Sequence, residues 1–164
     1  MYTKGDMVVY PLHGAGVIEG LEQHYIDGKA CDYYILKIPI GNLKIMLPSD
    51  KVMLNNIRFI MPASDISKAL KEVNEMPPEN FEEKGNWNDR YKENLSKLKK
   101  GIFRDKLIIF RNLYIKENRK GLSFSEKKML SNIKSILLSE IMLSHNINKD
   151  QAQQIFEEDF IKAK

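Results

Sequence analysis

The chain has 164 residues, 43% of them hydrophobic, which suits one globular domain or two small ones. No apolar run approaches the length of a bilayer span, and the opening Met1-Tyr2-Thr3-Lys4-Gly5-Asp6 lacks an apolar signal core, so a cytosolic protein is expected. The single cysteine, Cys31, excludes an internal disulfide or a cysteine-based zinc site and reads as a small buried hydrophobe.

The first 60 residues read as strands. Met7-Val8-Val9-Tyr10 is short and β-branched, with Pro11 after it. Gly14 and Gly16 bracket Ala15, and Val17 to Glu22 begins a second strand. Asp27-Gly28 is a hairpin turn signal. Cys31 to Ile38 forms a third strand, with Tyr33, Ile35 and Lys37 on one face and Tyr34, Leu36 and Ile38 on the other. Gly41-Asn42 turns the chain into a fourth strand, Leu43 to Leu47, stopped by Pro48, and Ile57 to Ile60 suits a fifth. Short strands at this spacing predict a small, strongly bent barrel of SH3 or Tudor type, with Gly14, Gly16 and Gly20 at its bends and bulges.

From Ala63 the period becomes helical. Ser64-Asp65 is placed to cap a helix ending near Glu75, with Ile66, Ala69, Leu70 and Val73 inward. Pro77 through Gly85 reads as an acidic loop. Asn86 or Asn88 can cap a second helix, to Lys100, with Tyr91, Leu95 and Leu98 inward. Gly101 breaks it, and a third runs from Ile102 to Asn118 on Phe103, Leu107, Phe110 and Tyr114. Ser123-Phe124-Ser125-Glu126 is a capping box for a fourth helix on Leu130, Ile133, Leu137 and Ile141. Asn148 with Gln151 starts a fifth, carrying Ala152, Ile155, Phe156 and Phe160. The expected fold is α+β in two domains: a Tudor/SH3-like barrel over 1–56, a linker over 57–63 and an all-α bundle of about five helices over 64–164.

Catalytic signatures are missing. His13, His24 and His145 form no pair at metal-ligand spacing. No phosphate-binding Gly-rich loop and no nucleophile elbow is present, so no enzyme activity, metal or cofactor is expected. The charge is more telling. The net of +4 is the outcome of a neutral segment 1–62, a net of −4 over 63–83, +10 over 84–134 and −2 over 135–164. Such a block is a footprint for phosphate backbones, or else the solvated face of a lysine-rich chain. Arg90 and Lys97, Arg104 and Arg111, and Lys127 and Lys134 are each seven apart, so each pair shares a helix face. Three helices then offer positive charge that can follow a backbone without reading bases. Trp87, the single tryptophan, stands among polar neighbours at the front of this block. It suits either a core indole with a bonded N–H or a wedge that inserts beside an opening base step.

Gly5-Asp6-Met7-Val8-Val9-Tyr10-Pro11-Leu12-His13-Gly14-Ala15-Gly16-Val17-Ile18 resembles the opening of the CarD/CdnL family of bacterial transcription regulators. The resemblance continues through Tyr33-Tyr34-Ile35-Leu36-Lys37, Asn86-Trp87-Asn88-Asp89-Arg90-Tyr91-Lys92-Glu93-Asn94-Leu95 and Gly121-Leu122-Ser123-Phe124-Ser125-Glu126-Lys127-Lys128-Met129-Leu130, so it spans the chain. The first segment is also similar to the polymerase-interacting module of transcription–repair coupling translocases; the later two separate the families. The resemblance implies that the barrel grips the RNA polymerase β subunit. It also implies that the helical domain lies on promoter DNA, in the minor groove and on phosphates, with Trp87 wedged at the upstream edge of the bubble. Arg90, Lys92 and Lys127 or Lys128 match phosphate-holding residues, and Lys97, Arg104 and Arg111 extend that set. Family members often carry arginines at the polymerase contact where this chain has His24 and Met46; with Lys44 and Pro48 these form the expected polymerase site, less ionic here. The competing expectation is an RNA- or ribosome-associated protein with a KOW/Tudor-like barrel.

Overall fold

The computed structural model describes residues 1–77 and 87–161, the side chain of Trp87 excepted. Five antiparallel strands come first: β1 (Met7–Tyr10), β2 (Gly14–Ile26), β3 (Lys29–Ile38), β4 (Leu43–Pro48) and β5 (Arg58–Phe59), in sheet order β4-β3-β2-β1-β5. The β2–β3 hairpin turns on Asp27 and Gly28, at φ of 52° and 77°, the double left-handed geometry that an Asp-Gly pair supplies. A bulge between Ile18 and Gly20 shifts the register and bends β2. The sheet curls on itself. Val8, Ile18, Tyr34, Leu36, Ile38, Leu47 and Ile57 bury one core, and Tyr2 ties its ends together: its N–H donates to Tyr34 Oη at 3.2 Å and its hydroxyl to the Ile57 carbonyl at 3.2 Å.

Five helices follow: α1 (Ala63–Glu75), α2 (Trp87–Lys100), α3 (Phe103–Arg119), α4 (Phe124–His145) and α5 (Lys149–Phe156), the last continued by a π-helical turn over Glu157–Ile161. Their apolar stripes meet in a second core that includes Ile66, Leu70, Leu98, Leu107, Phe110, Ile133, Leu137, Phe156 and Phe160. The capping box expected at Ser123 is present, and the Asn148–Gln151 start of α5 forms a second. Ser123 accepts from the Glu126 N–H and Asn148 from the Gln151 N–H, while each partner side chain returns a bond to the cap residue's N–H. This α+β layout in two domains is the one the sequence predicts.

Some local expectations change. The N-cap of α1 is Pro62, with no side-chain cap bond, so Ser64 and Asp65 lie inside the first turn; a proline there supplies a fixed extended entry to the helix. Helix α2 starts at Trp87, which puts Asn88 within it; Asn86 and most of the expected acidic loop lie outside the described residues. Strand β2 begins at Gly14, three residues before the predicted start. Cys31 is half-buried rather than in the core, because it sits on the outward face of β3 with its Sγ 3.8 Å from the Lys29 carbonyl. Within residues 57–63 Ile57 is buried, and the expected fifth strand is present over two residues, β5 pairing Arg58 with Val9 and Phe59 with Val8.

The two domains meet through α4 and β2. Ala15 N–H donates to Ser139 Oγ at 2.8 Å, and Arg58 pairs with Glu140, which is 1% exposed. Gly101 sits where α2 turns into α3, at φ +77°, and a Cβ there would lie 2.7 Å from Pro11 Cγ. The helix breaker of the sequence is therefore also one of the points at which the barrel touches the bundle.

Candidate nucleic-acid and protein interfaces

The strand register decides where the expected polymerase residues lie. Partners across a ladder share a face, and faces alternate along each strand. Pro48 pairs with Tyr33, which pairs with Glu22; Met46 pairs with Ile35, which pairs with Gly20; Lys44 pairs with Lys37, which pairs with Val17. His24 pairs with Cys31, two residues before Tyr33. His24, Lys44, Met46 and Pro48 thus share the outer face of the sheet, opposite the side that Tyr34, Leu36 and Ile38 bury. Met46 is 48% exposed over buried Ile35, and no atom stands within 4 Å of where a Gly20 Cβ would be, so the centre of this face is apolar and open. Its polar groups are paired locally: His24 Nε2 lies 3.0 Å from Glu22 Oε2, and Lys44 Nζ lies 3.3 Å from Glu19 Oε2. Strand β4 pairs only with β3 among the described residues, so it is an edge strand.

The basic residues divide. Lys92, Lys97, Arg104, Lys127 and Lys128 are exposed, and Arg90 is half-buried. Helix α2 runs back along α3, and a cavity of about 360 Å³ between α2, α3 and the start of α4 is lined by Arg90, Lys97, Lys116 and Glu126 among others. The first turns of α2 and α4 therefore lie at the same end of the bundle. This brings the backbone of Trp87, Arg90, Lys127 and Lys128 to one region. The side chain of Trp87 lies outside the described residues.

At that end Glu126 is held by several groups. Its carboxylate lies 3.1 Å from Lys116 Nζ and receives the Ser123 N–H and hydroxyl. Burial pushes its pKa up, but the Lys116 and Ser123 bonds outweigh this and hold it below the usual carboxylate value. Glu126 thereby balances Lys116 and leaves the outward lysines of α4 as the local excess charge. Lys97 is 3.4 Å from Glu93, and Lys127 is 4.0 Å from Glu117, both surface pairs that water and salt weaken.

Arg111 corrects the sequence reading. It is 7% exposed, and its guanidinium donates to the carbonyls of Val73, at 3.0 Å, and Met76. It closes the C-terminal end of α1, where unpaired carbonyls and the helix dipole attract a cation. Arg104 shares that face, as its spacing predicts, and its Nη2 reaches Met76 Sδ at 3.7 Å. The face is right, but it meets α1 rather than solvent along half its length, and spacing alone does not reveal which helix covers it. Lys116 was missed because its significance comes from Glu126 across the α3–α4 turn.

Among the described residues no cluster of His, Cys, Asp and Glu could hold a metal ion, and no helix is long and apolar enough to cross a membrane. Residues 2–61 match the CarD-like/TRCF RID domain, and residues 71–157 match the C-terminal domain of CarD. A protein named "Putative transcription factor YdeB" from Bacillus subtilis (strain 168) is 35% identical over 152 residues, which cover 92% of this chain and 97% of that protein. With both of its domains matched in order, the chain belongs to the CarD/CdnL family.

Proposed function

We propose that this CarD-family transcription regulator binds the RNA polymerase β subunit through the outer face of its barrel and promoter DNA through its helical domain, and so prolongs the open complex. The division of labour follows the two domains, one over 1–56 extended by β5, the other over 64–164. Trp87 is the wedge at the upstream edge of the bubble; Arg90, Lys92, Lys97, Arg104, Lys127 and Lys128 contact phosphates without base preference; His24, Lys44, Met46 and Pro48 face polymerase. It acts by binding alone, as a monomer in the cytoplasm, with no catalytic step.

The observation that supports this reading best is the convergence of the start of α2, which carries Trp87 and Arg90, with the Lys127 and Lys128 turn of α4. An aromatic ring beside paired cations suits a partly unstacked step, whose opening costs on the order of a few kcal/mol. A side chain that binds only the opened form shifts the closed–open equilibrium by its differential affinity. Weak DNA binding is enough when polymerase tethers the protein, since the second contact is then intramolecular.

The test is the lifetime of promoter complexes formed with the Trp87→Ala protein. A shorter open-complex half-life with unchanged polymerase binding and melting temperature supports the reading. An unfolded variant makes Trp87 a core residue. Tighter binding to structured RNA than to duplex or forked DNA at fixed salt would favour an RNA-associated role instead.

A further inference from the structure

Phe124 is the first residue of α4 and is 84% exposed. In the helical domain only one other large apolar side chain among the described residues is exposed, Ile102 at 50%, at the turn into α3. The fold gains nothing from the ring. Ser123 and Glu126 already form the capping box, and Leu122 and Met129 supply the buried contacts of this turn. A polar residue with good helix propensity would serve the helix equally well.

Its surroundings point to a ligand. Lys127 and Lys128 are three and four residues on, so they share the face of Phe124, and both are exposed. Arg119 and Lys120, also exposed, end the preceding helix. Over residues 116–128 five Lys and Arg stand against two Glu; Glu126 is held by Lys116, and Glu117 accepts the Leu122 N–H at 2.9 Å and lies 4.0 Å from Lys127 in a surface pair, so the cations stay in excess. An apolar ring framed by cations is an unfavourable surface for a second protein of neutral character and a matched one for nucleic acid. There the phosphates meet the lysines and the ring meets a sugar edge or an exposed base.

We propose that Phe124 is a second aromatic DNA contact, set on α4 beside the end of α2 that carries Trp87, and that it prefers DNA with unpaired bases. This rests on the DNA-binding reading above. The two aromatic positions then flank one opening in the duplex from two helices, with Lys127 and Lys128 on the adjoining phosphates.

The experiment compares the full-length protein with its Phe124→Ala, Phe124→Leu, Phe124→Trp and Lys127→Gln/Lys128→Gln variants. Binding is measured to a forked duplex with an unpaired arm and to the matched fully paired duplex, at one salt concentration, alongside melting temperature. The expected result is about a fivefold or greater loss of fork affinity for Phe124→Ala, a smaller loss on the paired duplex, and recovery with Phe124→Trp, with melting unchanged. If Phe124→Ala melts early, Phe124→Leu, which keeps the apolar bulk, must still show the fork-specific loss. Wild-type affinity in the Phe124 variants with weakened binding in the lysine variant overturns the Phe124 role and leaves the DNA reading standing. Unchanged binding in both sets overturns the two together.

Discussion

Arg58 and Glu140, 82 residues apart in sequence, meet in a two-armed ion pair: Nη1 to Oε2 and Nη2 to Oε1, both at 2.8 Å. Arg58 lies on β5 and Glu140 on α4, so this pair spans the two domains. The same arginine donates through Nε to the Gly101 carbonyl at 2.8 Å, and Glu140 Oε2 accepts the Met61 N–H at 2.9 Å. The junction thus carries a parallel, nearly buried carboxylate–guanidinium fork whose remaining polar atoms bond to backbone.

Glu140→Gln leaves the Arg58 guanidinium at this junction without its counter-charge, with the buried Lys106 nearby. Breaking one side of a buried pair costs about 3–5 kcal/mol, so the melting temperature should fall by about 6 °C or more. Thermal denaturation checks this, and a fall of under 1 °C would mean that water has replaced the pair.

Lys106 is fully buried in α3 with no hydrogen-bond partner for Nζ among the described residues, and its pKa is lowered to about 8 by burial first and by Arg58 second, against an opposing pull from Glu140. Below pH 8 the folded protein carries the whole cost of that charge. Between about pH 8 and the ordinary lysine value of 10.5 the folded state has released the proton while the unfolded state keeps it, so this residue makes stability rise with pH. Lys106→Met should raise stability at pH 7 by about 1 kcal/mol or more. It should also remove that rise, seen as the difference between the two proteins' denaturant midpoints from pH 7 to 10.

Lysines on α4 and Arg111 should behave differently. The Lys127→Gln/Lys128→Gln variant should lower the slope of log affinity against log salt for duplex DNA by about 2, with melting unchanged. Arg111→Gln should leave that slope alone and cost about 1–3 kcal/mol of stability, because two α1 carbonyls lose a charged donor. A salt titration of both variants separates a surface cation from a helix cap.

On the barrel, Met46→Glu places a charge at the centre of the apolar outer face without touching the core. Its affinity for the polymerase β subunit should drop about tenfold or more, and melting should stay within 2 °C or so of wild type, as is usual for exposed sites. Undiminished co-purification with the β subunit would move the polymerase site off this face.

Local rules made much of the chain legible. Ser123 with Glu126 and Asn148 with Gln151 are caps whose partners lie three residues away, and Asp27-Gly28 is a turn within two residues. The alternation of Tyr33, Ile35 and Lys37 with Tyr34, Leu36 and Ile38 already separates the outer from the inner face of β3. Cations are harder to sort: Arg111 and Lys127 each flank their own helix's apolar stripe, yet one is a cap and the other is exposed. What covers a face depends on how neighbouring helices cross, and no residue on that face records it.

The sequence by itself determined the element types, the change from strand to helix near residue 60, the concentration of positive charge and the family, because each depends on composition, short spacing or motif order. Tertiary structure alone decided which charges are spent inside. Arg58 with Glu140 and Ala15 with Ser139 across 124 residues are long-range meetings at the domain junction, and Lys106 is buried with no hydrogen-bond partner for Nζ among the described residues. Burial turns an ordinary arginine, serine or lysine into a structural group there, and burial is a property of the packed domains rather than of any window of the chain.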